Sequence, residues 1–324
     1  MVDPELAKLS DQLMLGTVLA YVAAMLGYAA DLAFGHRRAA AAAERKVLVG
    51  AAGSAEAETK AEIEAEVETG TEPGTGRGEV DWGRFAVLFT VLGWGLHTGS
   101  LVTRGLAVQR WPWANMYEFL AAIALAAVTA YLVVLWREKA RFLGAFVMVL
   151  AIVALGVDVI WFYTDAGPVD PALKSYWIAI HVTAAIVSTG GFAVAGVATL
   201  LYLPVAKREA RDAVTGLWSR LPSGEALDRL ANRVTMFVFP IWTFAIIAGA
   251  IWADEAWGRY WGWDPKEIWS FVTWVLYAAY LHARATAGWN RRAQIISLLA
   301  FAALLFNFFG VNYLFSGLHS YAGG

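Results

Sequence analysis

Histidines and tryptophans are the side chains of this sequence best suited to binding chemistry. The 324 residues include five histidines, 16 tryptophans and no cysteine. Five of the tryptophans fall in the segment 252–269, where they alternate with charged residues between two apolar runs. Tryptophan offers a large flat apolar face and one N–H donor, so the segment favours a planar, amphipathic ligand over a small polar one. Without cysteine the chain itself cannot exchange disulfides or hold a porphyrin by thioether bonds.

Haem is a ligand of that kind, and two histidines are placed to bind its iron. His181 lies near the start of a long apolar run and His319 lies just after the last one, so both are expected at the membrane depth of the segment 252–269. Two neutral imidazoles, one on each face of the porphyrin, give a six-coordinate iron. The alternative for each residue is an interfacial histidine bonded to a backbone carbonyl. Their common depth favours the ligand pair.

His282 and His97 are expected to have roles different from those of His181 and His319. His282 follows Pro265 by 17 residues, so on a single helix it lies about 25 Å from the tryptophan-rich segment. A second haem position near the cytoplasmic side is the sharper interpretation, and a helix-end histidine bonded to a carbonyl is the alternative. His97 has serine and threonine neighbours that can hydrogen-bond its ring, so we predict a structural role for it.

Basic residues near the tryptophans are the candidate partners of the haem propionates. Arg259 and Lys266 are the best placed donors, and Arg104 and Arg110 are second candidates. The indole N–H groups are further donors. The flat apolar support for the porphyrin is expected from Trp257, Trp261, Trp263 and Trp269.

The run Asp264-Pro265-Lys266-Glu267 is typical of a helix start. Asp264 suits the N-cap, proline suits the first helical position, and Glu267 falls in the first turn. Asp264 and Glu267 have either this role or a direct contact with haem, and the sequence leaves both open. Glu118, at the expected outer start of another helix, is predicted to be an acid that the helix dipole favours. A bond to a neighbouring loop, or orientation of an incoming peptide, is the alternative.

The composition predicts an all-α protein that crosses a membrane several times. Hydrophobic residues make up 59% of the chain and charged residues 16%, and several apolar runs reach the roughly 20 residues needed to span a bilayer. The runs are too long and continuous for a membrane β-barrel, and helices pair their own backbone groups in lipid. The eight expected spans are 12–34, 83–103, 117–136, 142–161, 176–204, 234–253, 266–283 and 293–316.

The distribution of lysine and arginine predicts the orientation of these spans. Eighteen of the 25 basic residues fall in the alternate loops 35–82, 137–141, 205–233 and 284–292. The positive-inside rule places those loops in the cytoplasm, and it places both termini and the tryptophan-rich loop between helices 6 and 7 outside. Basic residues follow the first apolar run, which is the reverse of a cleavable signal peptide.

We therefore expect three regions along the chain. Residues 1–35 form a first transmembrane helix, and 36–80 form a cytoplasmic Ala/Glu-rich linker that is partly helical at best. Residues 81–324 form a seven-helix membrane domain with its tryptophan-rich loop at 252–269. The linker changes from basic to acidic along its length, which is typical of a solvated segment, and docking of a partner is the alternative.

The tryptophan-rich segment resembles a known signature. The pattern is Trp257-Gly-x-x-Trp261-Gly-Trp263-Asp264-Pro265-Lys266-Glu267-x-Trp269, and it is accompanied by Pro112-Trp-Ala-Asn115-Met-Tyr117-Glu118. It resembles the "WWD" signature of the haem-handling proteins of cytochrome c biogenesis, the CcsA/ResC, CcmC and CcmF group. A match of this length and composition is far more specific than a short motif. Eight expected spans and histidines at 181, 282 and 319 resemble the CcsA/ResC proteins of the system II route most closely.

This resemblance implies a function that the residues by themselves do not. It implies a multi-pass protein of the bacterial plasma membrane that, with a ResB-type partner, carries haem b to the outer face. There the complex acts as a holocytochrome c synthase, in which the cysteines of a CxxCH motif in apocytochrome c add to the haem vinyl groups. The resemblance also implies thiol-reducing proteins of the outer face as partners, and no nucleic acid.

The resemblance further assigns roles to the histidines. It implies that His181 and His319 ligate haem beside the tryptophan-rich loop, and that His282 ligates haem earlier in transit, with a fourth ligand from the partner. The linker 36–80 is where this chain departs most from the family.

Two other functions stay open. One is a haem transporter or chaperone whose partner holds the attachment chemistry, and the other is an unrelated polytopic transporter with an aromatic outer vestibule. The second predicts paired helix breaks and inverted internal symmetry. Pro204 and Pro240 are isolated, and the sequence shows no convincing repeat.

Overall fold

The residues that the structure describes fold into helices joined by loops, and no strand occurs among them. The structure is a computed structural model, and it describes residues 2–59, 81–167, 175–287 and 291–319. Its eight long helices are α1 (Pro4–Thr59), α2 (Trp82–Val108), α3 (Met116–Glu138), α4 (Gly144–Val157), α5 (Tyr176–Glu209), α6 (Gly224–Trp257), α7 (Pro265–Ala287) and α8 (Arg291–Leu305). A short helix, α9 (Val311–Leu314), follows α8, and π-helical turns occur at Asp158–Phe162 and Phe306–Gly310. The predicted all-α class is confirmed.

Seven of the described helical segments are long and apolar enough to cross a membrane. They correspond to seven of the eight predicted spans, so the protein is a multi-pass membrane protein. The eighth predicted span, 266–283, is the helix α7, which is long enough but falls short in apolarity. Its sequence carries aromatic and polar side chains where the other helices carry aliphatic ones. Aromatic side chains with a polar tip are typical of membrane boundaries and of contacts between helices.

The first helix is longer than the first predicted span. The helix α1 runs from Pro4 to Thr59, and its membrane-length part is Pro4–Phe34. The part 36–59 of the predicted linker therefore continues the helix. The remainder of that linker, 60–80, lies outside the described residues.

The helices run alternately up and down between two ends of the bundle. At one end, which we call the loop end, α6 stops at Trp257 and α7 starts at Pro265, so the loop between them is 258–264, shorter than the predicted 252–269. At this end the Asp3 amide donates to Ala107 O at 2.9 Å. The first and last described residues both lie here, as expected if the two termini share a side of the membrane.

Small residues allow the helices to approach closely around α5, which packs against α3, α6 and α8. Gly190 on α5 lies directly against the backbone of α3: a Cβ built there would meet the carbonyl carbon of Ala126 at 2.5 Å. Lipid tails are as apolar as helix surfaces, so close van der Waals contact between small residues drives such packing. The small side chain at position 190 therefore sets how closely α3 and α5 approach each other.

Substitution of Gly190 by alanine tests this contact. Alanine is a better helix former than glycine, but its methyl group must push two backbones apart, so we expect a net destabilisation of about 1–3 kcal/mol. The matched control is Gly95→Ala on α2, where a Cβ meets nothing within 4 Å. Thermal unfolding of the detergent-solubilised variants should lower the midpoint for Gly190→Ala only, and equal midpoints would contradict the close packing.

Candidate functional site

A large cavity opens at the loop end of the bundle. Its volume is about 1230 Å³, and α2, α3, α5, α6, α7 and the region after α8 all contribute to its lining. Pockets for drug-sized ligands are usually about 300–1,000 Å³, so this cavity suits a larger ligand. His181, His319, Trp252, Trp261 and Lys266 all line it. The structure thus brings together the two histidines that the sequence predicted as a pair.

His181 is fixed by a backbone carbonyl of the neighbouring helix. It lies on the second turn of α5, and its Nδ1 is 2.8 Å from Ala245 O on α6. Gly249 makes room for the ring, because a Cβ at that position would lie 2.7 Å from Nδ1. A carbonyl oxygen only accepts, so Nδ1 carries the proton and donates. In the neutral ring this leaves the lone pair on Nε2.

His319 is fixed by a carboxylate. Its Nδ1 lies 2.9 Å from Oδ1 of Asp264, while Oδ2 of the same residue accepts from the Leu318 amide at 2.8 Å. Burial acts to raise the pKa of Asp264, but hydrogen bonds from His319, Leu318 and the Lys266 amide outweigh it and hold that pKa below its ordinary value. The carboxylate therefore accepts and Nδ1 of His319 donates, and in the neutral ring Nε2 again carries the lone pair.

Two indole rings connect the two histidines. Trp252, with 1% of its surface exposed, stacks on His181 at a centroid distance of 6.2 Å and contacts His319 at 5.7 Å. Trp257 lies 4.7 Å from Trp252 and 4.7 Å from His319. Trp257 was among the tryptophans predicted for the site, and Trp252 was not. The only sequence signal for Trp252 was its membership of the same tryptophan-rich segment.

The conformation of the loop 258–264 is set by a capping box. Oε2 of Glu267 accepts from the amides of Gly262 at 2.8 Å and Asp264 at 3.0 Å, and Oδ1 of Asp264 accepts from the Lys266 amide at 3.2 Å. This reciprocal pairing of an N-cap acid with a glutamate three residues later is a standard helix start. Asp264 therefore has the predicted capping role, and in addition it holds His319.

The other predicted site residues fall at different distances from the cavity. Trp263 is two-thirds exposed, and Trp269 packs on Phe306 at 4.3 Å. Arg259, a predicted partner of the propionates, lies over Trp257 at 6.0 Å and 3.6 Å from Oε1 of Glu267. Among the predicted tryptophans, Trp261 is the one that lines the cavity.

His282 lies apart from this site. It is exposed near the last turn of α7, and the helix is continuous, so it lies about 25 Å along the axis from Pro265. At this opposite end the buried Asp228 forms an ion pair with Arg284, with Oδ2 and Nη1 2.6 Å apart. His97 is fully buried, with its Nδ1 3.3 Å from the Tyr21 hydroxyl, in keeping with a structural role.

Comparison with known proteins places the chain in a family. The profile of the family described as "Cytochrome C assembly protein" matches residues 113–319, which include both histidines of the cavity. A cytochrome c biogenesis protein CcsA of Guillardia theta is 34% identical over 240 residues, covering 68% of this chain and 80% of that protein. The CcsA of Gloeobacter violaceus is 32% identical over 280 residues, covering 69% and 82%.

A solved structure has a similar fold. The protein described as cytochrome c heme lyase CcmF superposes with a TM-score of 0.61 at 16% identity. The match covers 94% of this chain and 46% of that one, so this chain spans less than half of its length. Together with the family match over most of the membrane domain, these relatives show that the chain belongs to the cytochrome c assembly proteins, in the CcsA group, and acts in cytochrome c biogenesis.

Proposed function

We propose that this chain, in a bacterial plasma membrane and in complex with a ResB-type membrane protein, carries haem b to the outer face and presents it for covalent attachment to apocytochrome c. The observation that carries the proposal is the pair His181 and His319 on one cavity, each with Nδ1 bonded to an oxygen acceptor. Metal-bound histidines almost always donate their second ring N–H to a carbonyl or carboxylate. In each neutral ring the lone pair on Nε2 is thus available to bind a metal.

The donor set suits haem better than a free metal ion. Structural and catalytic zinc sites need three or four protein ligands, and no group of three or more His, Cys, Asp or Glu side chains that could hold a metal ion occurs among the described residues. Two imidazoles are sufficient for haem, because the porphyrin supplies the other ligands and leaves the axial positions to the protein. The indoles of Trp252 and Trp261 supply the apolar surface that a porphyrin needs.

The attachment step itself needs positioning more than acid–base chemistry. Each CxxCH thiol adds across a vinyl double bond: sulfur bonds to one vinyl carbon, a proton goes to the other, and no net oxidation occurs. Holding reactants in the correct geometry can contribute about 7–11 kcal/mol to such a step. In the proposed mechanism, His181 and His319 hold the iron, and the histidine of the CxxCH motif replaces one of them when the product leaves.

The exposed face of α7 supports an earlier haem position shared with the partner. One stripe of this helix is exposed at intervals of three or four residues, and it consists of Ile268, Phe271, Val275, Ala279 and His282. Ionisable side chains within membrane helices are costly and usually lie against protein rather than lipid. In our proposal a helix of the ResB-type partner covers this stripe, and its own ligand shares the iron with His282.

Absorption spectra of the complex with its partner test the two ligands of the cavity. Because each imidazole supplies one axial bond, we expect His181→Ala and His319→Ala to lose the six-coordinate, low-spin haem signal, and added imidazole to restore it. His97→Gln serves as the control histidine away from the cavity. Wild-type complex that contains no haem, despite ample haem supply, would contradict the proposed function.

The same preparations distinguish a synthase from a haem chaperone. Reduced apocytochrome c is added to the purified complex, and covalent haem is detected on the denatured product. Thioether formation by the complex alone supports the synthase. Transfer of haem without covalent attachment would instead support the chaperone role.

Substitution of Asp264 tests how His319 is held. Loss of an outer-shell partner of a metal-bound histidine typically lowers affinity about 10–100-fold, so Asp264→Ala should weaken haem binding to this extent. Asp264→Asn keeps an oxygen acceptor for Nδ1 and should lose less. Asp254→Asn is the matched control on α6. If haem titration gives the same affinity for all three variants, Asp264 does not support His319 as an iron ligand.

A further inference from the structure

We infer that Glu118 is a positioning residue for the haem cavity. It holds the loop between α2 and α3, residues 109–115, and this loop forms a wall of the cavity in addition to the tryptophan-rich loop. The inference rests on the proposed function for the identity of the ligand. The position of the wall itself follows from the contacts of the described residues. The sequence favoured a helix-dipole role for this glutamate over a bond to a neighbouring loop.

Glu118 is fully buried, and its carboxylate is completely satisfied. Oε1 accepts from Arg104 Nε at 3.0 Å and from Arg110 Nη2 at 3.0 Å. Oε2 accepts from Arg110 Nη1 at 2.6 Å and from the Ala114 amide at 2.9 Å. A carboxylate offers about four lone-pair sites, so Glu118 has no capacity left for a ligand. Its role is therefore to hold protein groups and not to touch haem.

Arg110 extends this link to the segment that follows α4. Its Nε and Nη2 donate to Gly167 O at 3.1 and 2.9 Å, and its Nη1 also donates to Trp111 O at 3.0 Å. Together with the two bonds to Glu118, these contacts use the five N–H donors of a guanidinium. Arg110 lines the cavity, but in this arrangement it has no donor left over for a haem propionate. The side chain is committed to the protein.

Arg104 completes the cluster from the last turn but one of α2. It has 2% of its side chain exposed, donates to Glu118 and Thr164 O, and lies over the ring of Tyr117 at 4.7 Å. It is thus also unsuited to the propionate role that the sequence suggested. A single carboxylate joins two guanidinium groups in a desolvated position, where an unpaired charge is costly. The carboxylate of Glu118 therefore fixes the positions of both guanidinium groups.

The loop that this cluster holds forms part of the cavity lining. Trp111 and Trp113 stack on each other with centroids 5.1 Å apart, and both line the cavity together with Met116. Asn115 caps α3 by accepting from the Glu118 amide at 2.8 Å. Because Glu118 accepts the Ala114 amide as well, it fixes the loop immediately beside the two indoles. Aromatic walls on two sides of a cavity are well suited to a flat ligand.

Hydrogen–deuterium exchange of the complex with its partner tests whether Glu118 holds the wall. We expect Glu118→Gln to speed exchange in 109–115 and 163–167 while the loop 258–264 stays as protected as in wild type. The matched control is Glu225→Gln, which removes the carboxylate of an exposed Glu–Arg pair on α6. Arg110→Lys keeps the charge but not the fork of donors, and it replaces Glu118→Gln if that variant does not fold.

Haem occupancy and the absorption spectrum of the same preparations test the consequence for the ligand. We expect haem occupancy to fall several-fold in the Glu118 or Arg110 variant, with a shifted spectrum, and to stay at the wild-type value in the control. Unchanged exchange in 109–115, faster exchange throughout the protein, or unchanged haem occupancy would each overturn the inference. Wild-type complex without haem would refute the proposed function instead. The exchange rates in 109–115 would then still test whether Glu118 holds this loop in place.

Discussion

Two oxygen acceptors determine what the histidines of the cavity can do. The Ala245 carbonyl and the Asp264 carboxylate each accept a hydrogen bond from Nδ1, at 2.8 and 2.9 Å. Each bond fixes a ring orientation and a tautomer, and it leaves a basic Nε2. Without these acceptors the imidazoles of His181 and His319 would be free to rotate and to exchange tautomers. Neither Nε2 atom would then have a fixed position from which to bind a metal.

The rest of the structure serves to place these acceptors. Ala245 faces His181 because Gly249 lets α6 approach the ring. Asp264 faces His319 because the capping box with Glu267 fixes the loop that carries it. Trp252 contacts both imidazole rings, so their relative position depends on a rigid indole rather than on a flexible chain. Binding sites on rigid elements keep their geometry at a smaller entropic cost on binding.

Features that depend on neighbouring residues could be predicted from the sequence, whereas contacts between distant residues could not. Apolar runs predicted the helices, and Asp264 with Glu267 predicted the start of α7, because hydropathy and capping depend on neighbouring residues. The bond between His319 and Asp264 depends on how the end of the chain returns to the loop, 55 residues away. The contact of His181 with α6 similarly depends on the register of two helices, which no residue pattern specifies. The bonds of Arg110 to Glu118 and Gly167 could not be predicted either, because these partners lie on different elements.

A structure of the complex with its membrane partner and bound haem, determined by electron cryomicroscopy, tests the central claim most directly. The account predicts iron between the Nε2 atoms of His181 and His319, with both Nδ1 atoms still bonded to Ala245 O and the Asp264 carboxylate. Iron bound through Nδ1, or haem in the cavity with neither imidazole on the iron, would contradict it.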